Sequence, residues 1–352
     1  MKILKVLLLV FLFVGLQKGF AQTDKTNKYK VACIGFYNLE NLFDTVDDTT
    51  INDEEFLPTG TKLYTEEVYK DKLTNLSEVI SQLALEETPD GVALLGVAEI
   101  ENTRVLQDLV VQPKLKARNY KIVHYDSPDY RGVDVGLLYN PVYFKVLESA
   151  ALNVPLKNPD GKPYPTRDVL WVYGLMNGEP IHVFVNHWPS RRGGEEASAP
   201  GRALAAGIAK AKIDSINKAY PGAKIILMGD LNDDPLSPSV ANVLDATHDT
   251  KVLKKGQLYN PWTDFYKQGI GTLAWNDAWN LFDQVIISSS FLDKNQSGFF
   301  YQKAVIFNRP FLLQKSGRYK GYPFRTYDFD IYMRGYSDHF PVYIVLLKNL
   351  SN

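Results

Sequence analysis

The sequence predicts a layered α/β protein with partly antiparallel sheets. Short apolar segments of strand length alternate with longer segments in which apolar residues recur at helical spacing. Some strand-like segments follow one another directly, which is typical of antiparallel pairing, whereas others are separated by helices. The 352-residue chain shows no internal repeat and no low-complexity linker, so we expect one domain over residues 29–349.

The apolar patterns place the elements along the chain. A first helix over 66–86 has an apolar face formed by Tyr69, Leu73, Leu76, Ile80 and Leu83. A second helix is indicated by Val105, Leu106, Leu109 and Leu115, and a third is expected over 200–219. Strands are predicted at 29–37, 91–98, 120–125, 133–139, 142–148, 168–175, 180–186, 224–228, 284–288 and 342–347. Residues 250–280 and 308–336 are expected to be long surface insertions, which are often functional.

The N-terminus has the pattern of a secretory signal peptide. Lys2 and Lys5 precede an apolar run over 6–16, and Ala21 offers a small residue for cleavage. The run is too short to span a bilayer comfortably, and an uncleaved anchor is the alternative. We therefore expect residues 1–22 to be removed and the protein to be secreted or periplasmic.

The net charge bears on the kind of ligand, and the cysteine content bears on how the fold is stabilised. The formal net charge of −1 becomes more negative by three when the signal peptide is removed, because three lysines and no acidic residue are lost. That charge is not typical of a strongly basic nucleic-acid binder. Cys33 is the only cysteine, so no intramolecular disulfide can form and the core must hold the fold.

Polar side chains gather at the ends of the predicted strands. An asparagine or aspartate at a strand end is more often a turn residue or a helix cap than a functional residue. Together these side chains supply the carboxylates, amides and histidines of an oxygen-ligand metal site, where a histidine held by a carboxylate can act on phosphate or water. In chain order they are Asn38 and Asn41, Glu99, His187, Asp230 with Asn232, Asp283, and Asp338 with His339.

In this order the clusters resemble the endonuclease/exonuclease/phosphatase superfamily, which includes apurinic endonucleases, pancreatic deoxyribonuclease, bacterial sphingomyelinases and inositol-polyphosphate phosphatases. The resemblance runs from Tyr37 to Val342, and its most specific parts are Gly-Asp-Leu-Asn at 229–232 and Ser-Asp-His-Phe-Pro-Val at 337–342. It implies a four-layer α/β/β/α sandwich of two mixed, largely antiparallel sheets, with the site at one edge.

The resemblance also implies a metal site. Asn38 and Glu99 match the positions that hold the metal in this superfamily, and Asp338 is a third candidate. The implied cofactor is Mg²⁺ or Mn²⁺, with Ca²⁺ as an alternative.

The remaining matched residues are assigned catalytic roles by the same resemblance. Asp230 matches the residue that orients or deprotonates the attacking water, and Asn232 matches the residue that holds the phosphate. His339 matches the histidine beside the scissile phosphate, with Asp283 as the carboxylate that fixes it. His187 matches a second histidine of the deoxyribonuclease and sphingomyelinase branches, which contacts phosphate or protonates the leaving oxygen.

Three arginines are candidates for substrate binding. Arg191 and Arg192 follow His187 in a glycine-containing loop, and guanidinium groups match phosphate geometry. Arg131 precedes the strand predicted at 133–139. A solvated loop without a ligand is the alternative for each.

These patterns predict an exported Mg²⁺- or Mn²⁺-dependent phosphodiester hydrolase, nuclease-like, that acts as a monomer on nucleic acid or another phosphodiester. No stable protein partner is implied. The alternatives are a phosphatase or a phospholipid or small-molecule phosphodiesterase of the same superfamily, and an inactive member that only binds a ligand. The low positive charge counts against a nuclease, and the absence of an apolar hairpin recognisable in the sequence counts against a lipid substrate.

Overall fold

The computed structural model describes residues 28–158 and 160–350, and the expected signal peptide lies outside them. The α-helices are α1 Glu66–Gln82, α2 Thr103–Val110, α3 Glu195–Ala219 and α4 Thr263–Lys267. Single helical turns occur at Glu54–Phe56, Lys116–Arg118, Ser239–Val243, Ser289–Phe291 and Pro310–Leu312. The strands are β1 Tyr29–Leu42, β2 Val92–Ile100, β3 Lys121–His124, β4 Asp134–Tyr139, β5 Phe144–Leu152, β6 Val169–Met176, β7 Glu179–His187, β8 Lys224–Asp230, β9 Ala246–Thr247, β10 Leu258–Tyr259, β11 Leu273–Trp275, β12 Ala278–Asn280, β13 Asp283–Ser288, β14 Phe300–Ile306, β15 Tyr327–Asp328, β16 Ile331–Tyr332 and β17 Val342–Asn349.

Two mixed sheets form the centre of the molecule. The first has six strands in the order β14-β17-β1-β2-β4-β3, and the second has seven in the order β5-β6-β7-β8-β13-β10-β9. Most neighbours are antiparallel, but β1 with β2, β7 with β8, and β9 with β10 are parallel. The predicted mixed, largely antiparallel sheets are therefore confirmed.

The sheets pack face to face, and helices cover their outer faces. Alternate residues of β8 show the layering: Ile226 belongs to the core between the sheets, whereas Ile225 belongs to the core under α3. Both faces of this strand are buried, which explains why its sequence is an unbroken apolar run rather than an alternating one. On the other side, α1 contacts β1 and α2 contacts β3. The four layers are thus helix, sheet, sheet and helix.

A glycine allows the two sheets to approach closely near the site. A Cβ atom on Gly96 of β2 would lie 2.5 Å from Met228 Sδ of β8. A larger residue would therefore displace the Met228 side chain within the packed core between the sheets.

Several element bounds differ from those predicted. Helix α3 begins at Glu195 rather than at Pro200, so the proline lies inside the helix. The side chains of Ser198 and Arg202 donate to the Gly194 and Glu195 carbonyls in its first turns. Strand β14 has no counterpart in the prediction, since its exposed positions carry polar residues. The expected insertions are not structureless: they contain the hairpins β11–β12 and β15–β16.

Cys33 is buried in the first sheet, and burial raises the pKa of its thiol to about 12. The thiol is therefore inert, as a buried core cysteine should be. Within residues 28–158 and 160–350, no helix is long and apolar enough to cross a membrane.

Candidate active site

The ends of five strands meet at one edge of the sandwich. In the second sheet, Asp230 pairs with both His187 and Asp283, so these three residues are direct neighbours. In the first sheet, both β1 and β2 are irregular at this edge, with positive φ angles at Asn41 (53°) and Glu99 (58°). Bulges of this kind redirect side chains and are common beside active sites.

Asn38 donates hydrogen bonds to two carboxylates at the base of the site. Its Nδ2 donates to Glu99 Oε1 at 3.3 Å and to Asp230 Oδ2 at 3.1 Å. Its Oδ1 accepts from the Glu40 backbone N–H at 2.9 Å. Asn38 thus bridges the two carboxylates through its nitrogen, while its oxygen accepts one backbone hydrogen bond and keeps a second acceptor site.

His339 and Asp283 form a buried pair. The His339 Nδ1 lies 2.8 Å from Asp283 Oδ2, and Thr272 Oγ1 donates to the same carboxylate oxygen. Burial acts to lower the pKa of His339, but the negative charges of Asp283 and Asp230 outweigh it and hold that pKa well above the usual value. The imidazole is therefore a cation, and its Nε2 lies 3.9 Å from Asp230 Oδ2.

His187 has the opposite protonation state. Its Nε2 lies 3.8 Å from both Glu99 Oε1 and Asp230 Oδ2. Burial, followed by the positive charges of Arg167 and Arg131, holds its pKa well below the usual value. A neutral and a cationic imidazole thus stand on either side of one carboxylate.

That carboxylate belongs to Asp230, whose pKa is raised to about 7. Burial is the main cause, the His339 cation opposes it, and the neighbouring Asp283 charge adds to it. Its Oδ1 accepts from the Asn232 N–H at 2.9 Å. The Asn232 side chain in turn donates from Nδ2 to the Trp188 carbonyl at 3.0 Å. A carboxylate with a pKa near neutrality is suited to exchange a proton with water.

The donor set fits a divalent cation. Carboxylate oxygens of Asp230 and Asp283 lie within 4.8 Å of one another, and Glu99 adds a partly exposed carboxylate that shares the Asn38 amide with Asp230. Within the described part of the chain, the buried Asp283 Oδ1 has no hydrogen-bond partner. Carboxylate oxygens are the ligands that Mg²⁺ and Mn²⁺ prefer. Asp338 lies at the same edge, with its Oδ2 bonded by Arg325 at 3.2 Å.

Of the three arginines expected to bind substrate, Arg191 is engaged within the fold. Its guanidinium donates to the Asn232 carbonyl and to Asp233 and Asp234, and it stacks 4.6 Å from the Phe282 ring. The acidic turn that follows Asn232 therefore satisfies the group that we expected to be free for phosphate. Arg192 is exposed. Arg131 is half-buried near His187, and its Nε lies 3.4 Å from Asp129.

A buried ion pair behind His187 was not predicted. Arg167 donates from Nε to the His187 carbonyl at 3.1 Å and from Nη2 to the Trp188 carbonyl at 2.6 Å. Its Nη1 donates to Asp129 Oδ2 at 2.9 Å. The arginine thus fixes the backbone that carries His187. No sequence pattern links these positions, because the contact joins residues from separate loops.

A family model described as the endonuclease/exonuclease/phosphatase family matches residues 33–348. The chain belongs to this family. Its members are phosphoester hydrolases, and the buried carboxylates of this endonuclease/exonuclease/phosphatase protein are groups of the kind that hold divalent metals. No curated protein matches the sequence.

Solved structures share the fold at low identity. An endonuclease/exonuclease/phosphatase family protein from Bacteroides thetaiotaomicron is 16% identical with a TM-score of 0.56, covering 92% of this chain and 100% of the other. A D. rerio TDP2 in complex with a single-strand DNA product is 16% identical with a TM-score of 0.52, covering 90% and 98%. A mannosyl-6-phosphatase from Bacteroides thetaiotaomicron is 15% identical with a TM-score of 0.52, covering 90% and 99%. At these identities the likeness shows the fold alone.

Proposed function

We propose that this protein is an exported, divalent-metal-dependent phosphodiester hydrolase that cleaves nucleic acid. The observation that carries the proposal is the placement of His187 and His339, whose Nε2 atoms lie 3.8 Å and 3.9 Å from Asp230 Oδ2. Hydrolysis of a diester needs a group that takes a proton from water and groups that stabilise charge on phosphorus and the leaving oxygen. This site supplies both kinds within one cluster.

The roles follow from the charges of the side chains. Asp230 accepts the proton of the attacking water, since its pKa of about 7 lets it gain a proton without a large cost. The His339 cation, held by Asp283, stabilises negative charge on the phosphoryl oxygens. The neutral His187 lies across from it and hydrogen-bonds the phosphate or the leaving oxygen. A bound divalent cation would add Lewis-acid stabilisation of the phosphate.

The charge balance favours a diester over a monoester. Glu99, Asp230, Asp283 and Asp338 surround the place where phosphate must bind. The nearby cations are His339, Arg131, Arg167 and Arg325, and each of them is paired with a carboxylate. A terminal phosphate carries about two negative charges at neutral pH, whereas a diester carries one. The acidic surroundings therefore repel a monoester more strongly.

The activity test compares four substrates in the presence of Mg²⁺, Mn²⁺ or Ca²⁺ and after chelation. We expect cleavage of single-stranded DNA, RNA and a bis-aryl phosphodiester to exceed release of phosphate from an aryl phosphomonoester. Chelation of the metal should abolish hydrolysis of all four substrates. Efficient phosphomonoester hydrolysis with intact DNA and RNA would instead support a phosphatase.

Export is proposed from the N-terminal pattern of Lys2 and Lys5 before the apolar run. We expect N-terminal sequencing of the exported protein to begin near Gln22 or Thr23. Full-length protein starting at Met1 in the soluble cytosolic fraction would contradict this.

Glu99→Gln is expected to weaken metal binding by on the order of tenfold or more, because it keeps the shape of the side chain and removes one charge from the site. Isothermal titration with Mn²⁺ measures the change. Glu101→Gln is the matched control: Glu101 lies two residues away, but its carboxylate accepts from the Asp44 N–H rather than facing the site. Equal metal affinity in Glu99→Gln and the control would remove Glu99 from the metal site.

A further inference from the structure

A groove beside the active site is formed by the two insertions that contain hairpins. The cavity has a volume of about 530 Å³, and Glu40, Asn41 and Asp338 connect it to the site. One wall is the β11–β12 hairpin with Trp275, and the other includes the β15–β16 hairpin with Phe329. We call this cavity the hairpin groove. It is within the size range of pockets that bind one small organic group.

Phe329 is held in the groove wall at a conformational cost. The pairs Tyr327–Tyr332 and Asp328–Ile331 leave Phe329 and Asp330 as a two-residue turn. Phe329 has a φ of 50° and is 82% exposed. A bulky residue is disfavoured at positive φ, where glycine or asparagine is free of strain, and the exposed ring gains little from packing. Strain of this kind is characteristic of sites where a side chain contacts a ligand.

A second exposed aromatic ring stands on the other hairpin. Trp275 is 69% exposed and directly precedes a turn in which Asn276 and Asp277 have φ angles of 48° and 63°. Asparagine and aspartate tolerate these angles well, so the turn fixes Trp275 at the lip of the groove. The groove therefore offers two aromatic rings, one from each hairpin.

The charges that line the groove are nearly balanced: the cations are Lys62, Arg318 and Arg325, and the carboxylates are Glu40, Asp277, Asp328 and Asp338. Lys62 is paired with Asp330 outside the groove, and Arg325 is paired with Asp338 and Glu40. A run of phosphates is therefore a poor occupant, and the acidic residues around Phe329 are equally unsuited to insertion into a bilayer. An uncharged planar ring can stack on the aromatic walls and needs no opposite charge to compensate it.

Resting on the proposed function, we propose that the hairpin groove binds one unpaired nucleobase next to the scissile phosphate, stacked on Trp275 and Phe329. Stacking needs a free π-face, and in a duplex the neighbouring base pairs cover both faces of each base. The enzyme therefore acts on single strands or frayed ends in preference to intact duplex. The connection through Asp338 and Glu40 places the base close to the phosphate that is cut.

The test compares cleavage of a single-stranded oligonucleotide with that of the same strand carrying abasic residues around the cleavage position. We expect the native protein to lose about tenfold in kcat/KM on the abasic strand, which is the usual scale of one base stacked on an aromatic side chain. Trp275→Ala should lower kcat/KM on the intact strand by a similar factor, so that intact and abasic strands become equivalent. Tyr220→Ala is the matched control, because Tyr220 is also 69% exposed but lies at the end of α3. It should retain the preference of the native protein.

The outcomes separate the groove from the proposed function. Cleavage of intact and abasic strands at equal rates by the native protein would overturn the groove proposal and leave the nuclease in place. Hydrolysis of the bis-aryl diester with no cleavage of any strand would overturn both. Co-sedimentation with phosphatidylcholine–phosphatidylserine vesicles that is lost in Phe329→Asn, with no abasic effect, would assign the hairpin to a membrane instead.

A second variant tests the strain at Phe329 directly. We expect Phe329→Asn to have a Tm equal to or above that of the native protein, because asparagine accepts the positive φ, and to raise KM for the intact strand. A lowered Tm with unchanged KM would show that the phenyl ring stabilises the fold. Phe329 would then have no role in binding the base.

Discussion

Replacing His339 with alanine is expected to lower turnover by roughly 10²- to 10⁴-fold, the range for groups that transfer protons or stabilise charge in the transition state. Asp283 acts through His339, since their side chains are joined at 2.8 Å and the Asp283 charge sustains the imidazolium. Asp283→Asn added to His339→Ala should therefore cost little more. Residues that act as a unit are strongly non-additive in this way.

The measurement is kcat for the native protein, both single variants and the double variant on one diester. His248→Ala is the control, because His248 lies outside the site and bonds Lys267. Losses that multiply in the double variant would show that Asp283 and His339 act independently. All variants should retain native circular dichroism, which separates a catalytic loss from unfolding.

Replacing Arg167 with alanine is expected to lower the free energy of unfolding by about 3–5 kcal/mol, the scale for breaking a buried ion pair. The buried Asp129 Oδ2 would lose its partner, with only Arg131 left on Oδ1, and the His187 and Trp188 carbonyls would lose their donors. Total stability of a domain is about 5–15 kcal/mol, so the loss is large. Urea unfolding monitored by tryptophan fluorescence measures it.

A double variant separates the stability of this pair from its effect on His187. Asp129→Leu with Arg167→Met replaces the ion pair with apolar groups, which often restores stability. Turnover of the double variant should be below that of the native protein, because the backbone that carries His187 lacks the Arg167 donors. Full turnover with restored stability would reduce Arg167 to a purely structural residue.

Much of the fold follows from local patterns. The continuous apolar run of β8 and the helical spacing in α1 predict their elements, because a strand buried on both faces and a helix with one apolar face leave distinct periodicities. Strand β14 leaves no such signal, since the polar residues Gln302 and Lys303 are exposed in the middle of it. Edge strands with polar residues are difficult to distinguish from loops.

The order of chemistry-bearing residues at strand ends is what the sequence by itself determined about the site. His187, Asp230 and Asp283 were expected together because each one ends or begins an apolar strand, and pairing between β7, β8 and β13 makes them neighbours. The family resemblance had the same source, since it depends on this order and on the short motifs around Asp230 and His339.

Only the tertiary structure decided which groups are free and which are occupied. Arg191 has the residue type that binds phosphate, but the fold brings Asp233 and Asp234 within hydrogen-bond reach of it. Asn38 presents its amide nitrogen to Glu99 because the Glu99 carboxylate accepts a hydrogen bond, while the Asn38 oxygen accepts from the Glu40 backbone. Charges and hydrogen bonds act over a few ångströms through space, so contacts between residues distant in the chain set them, and local sequence carries no record of those contacts.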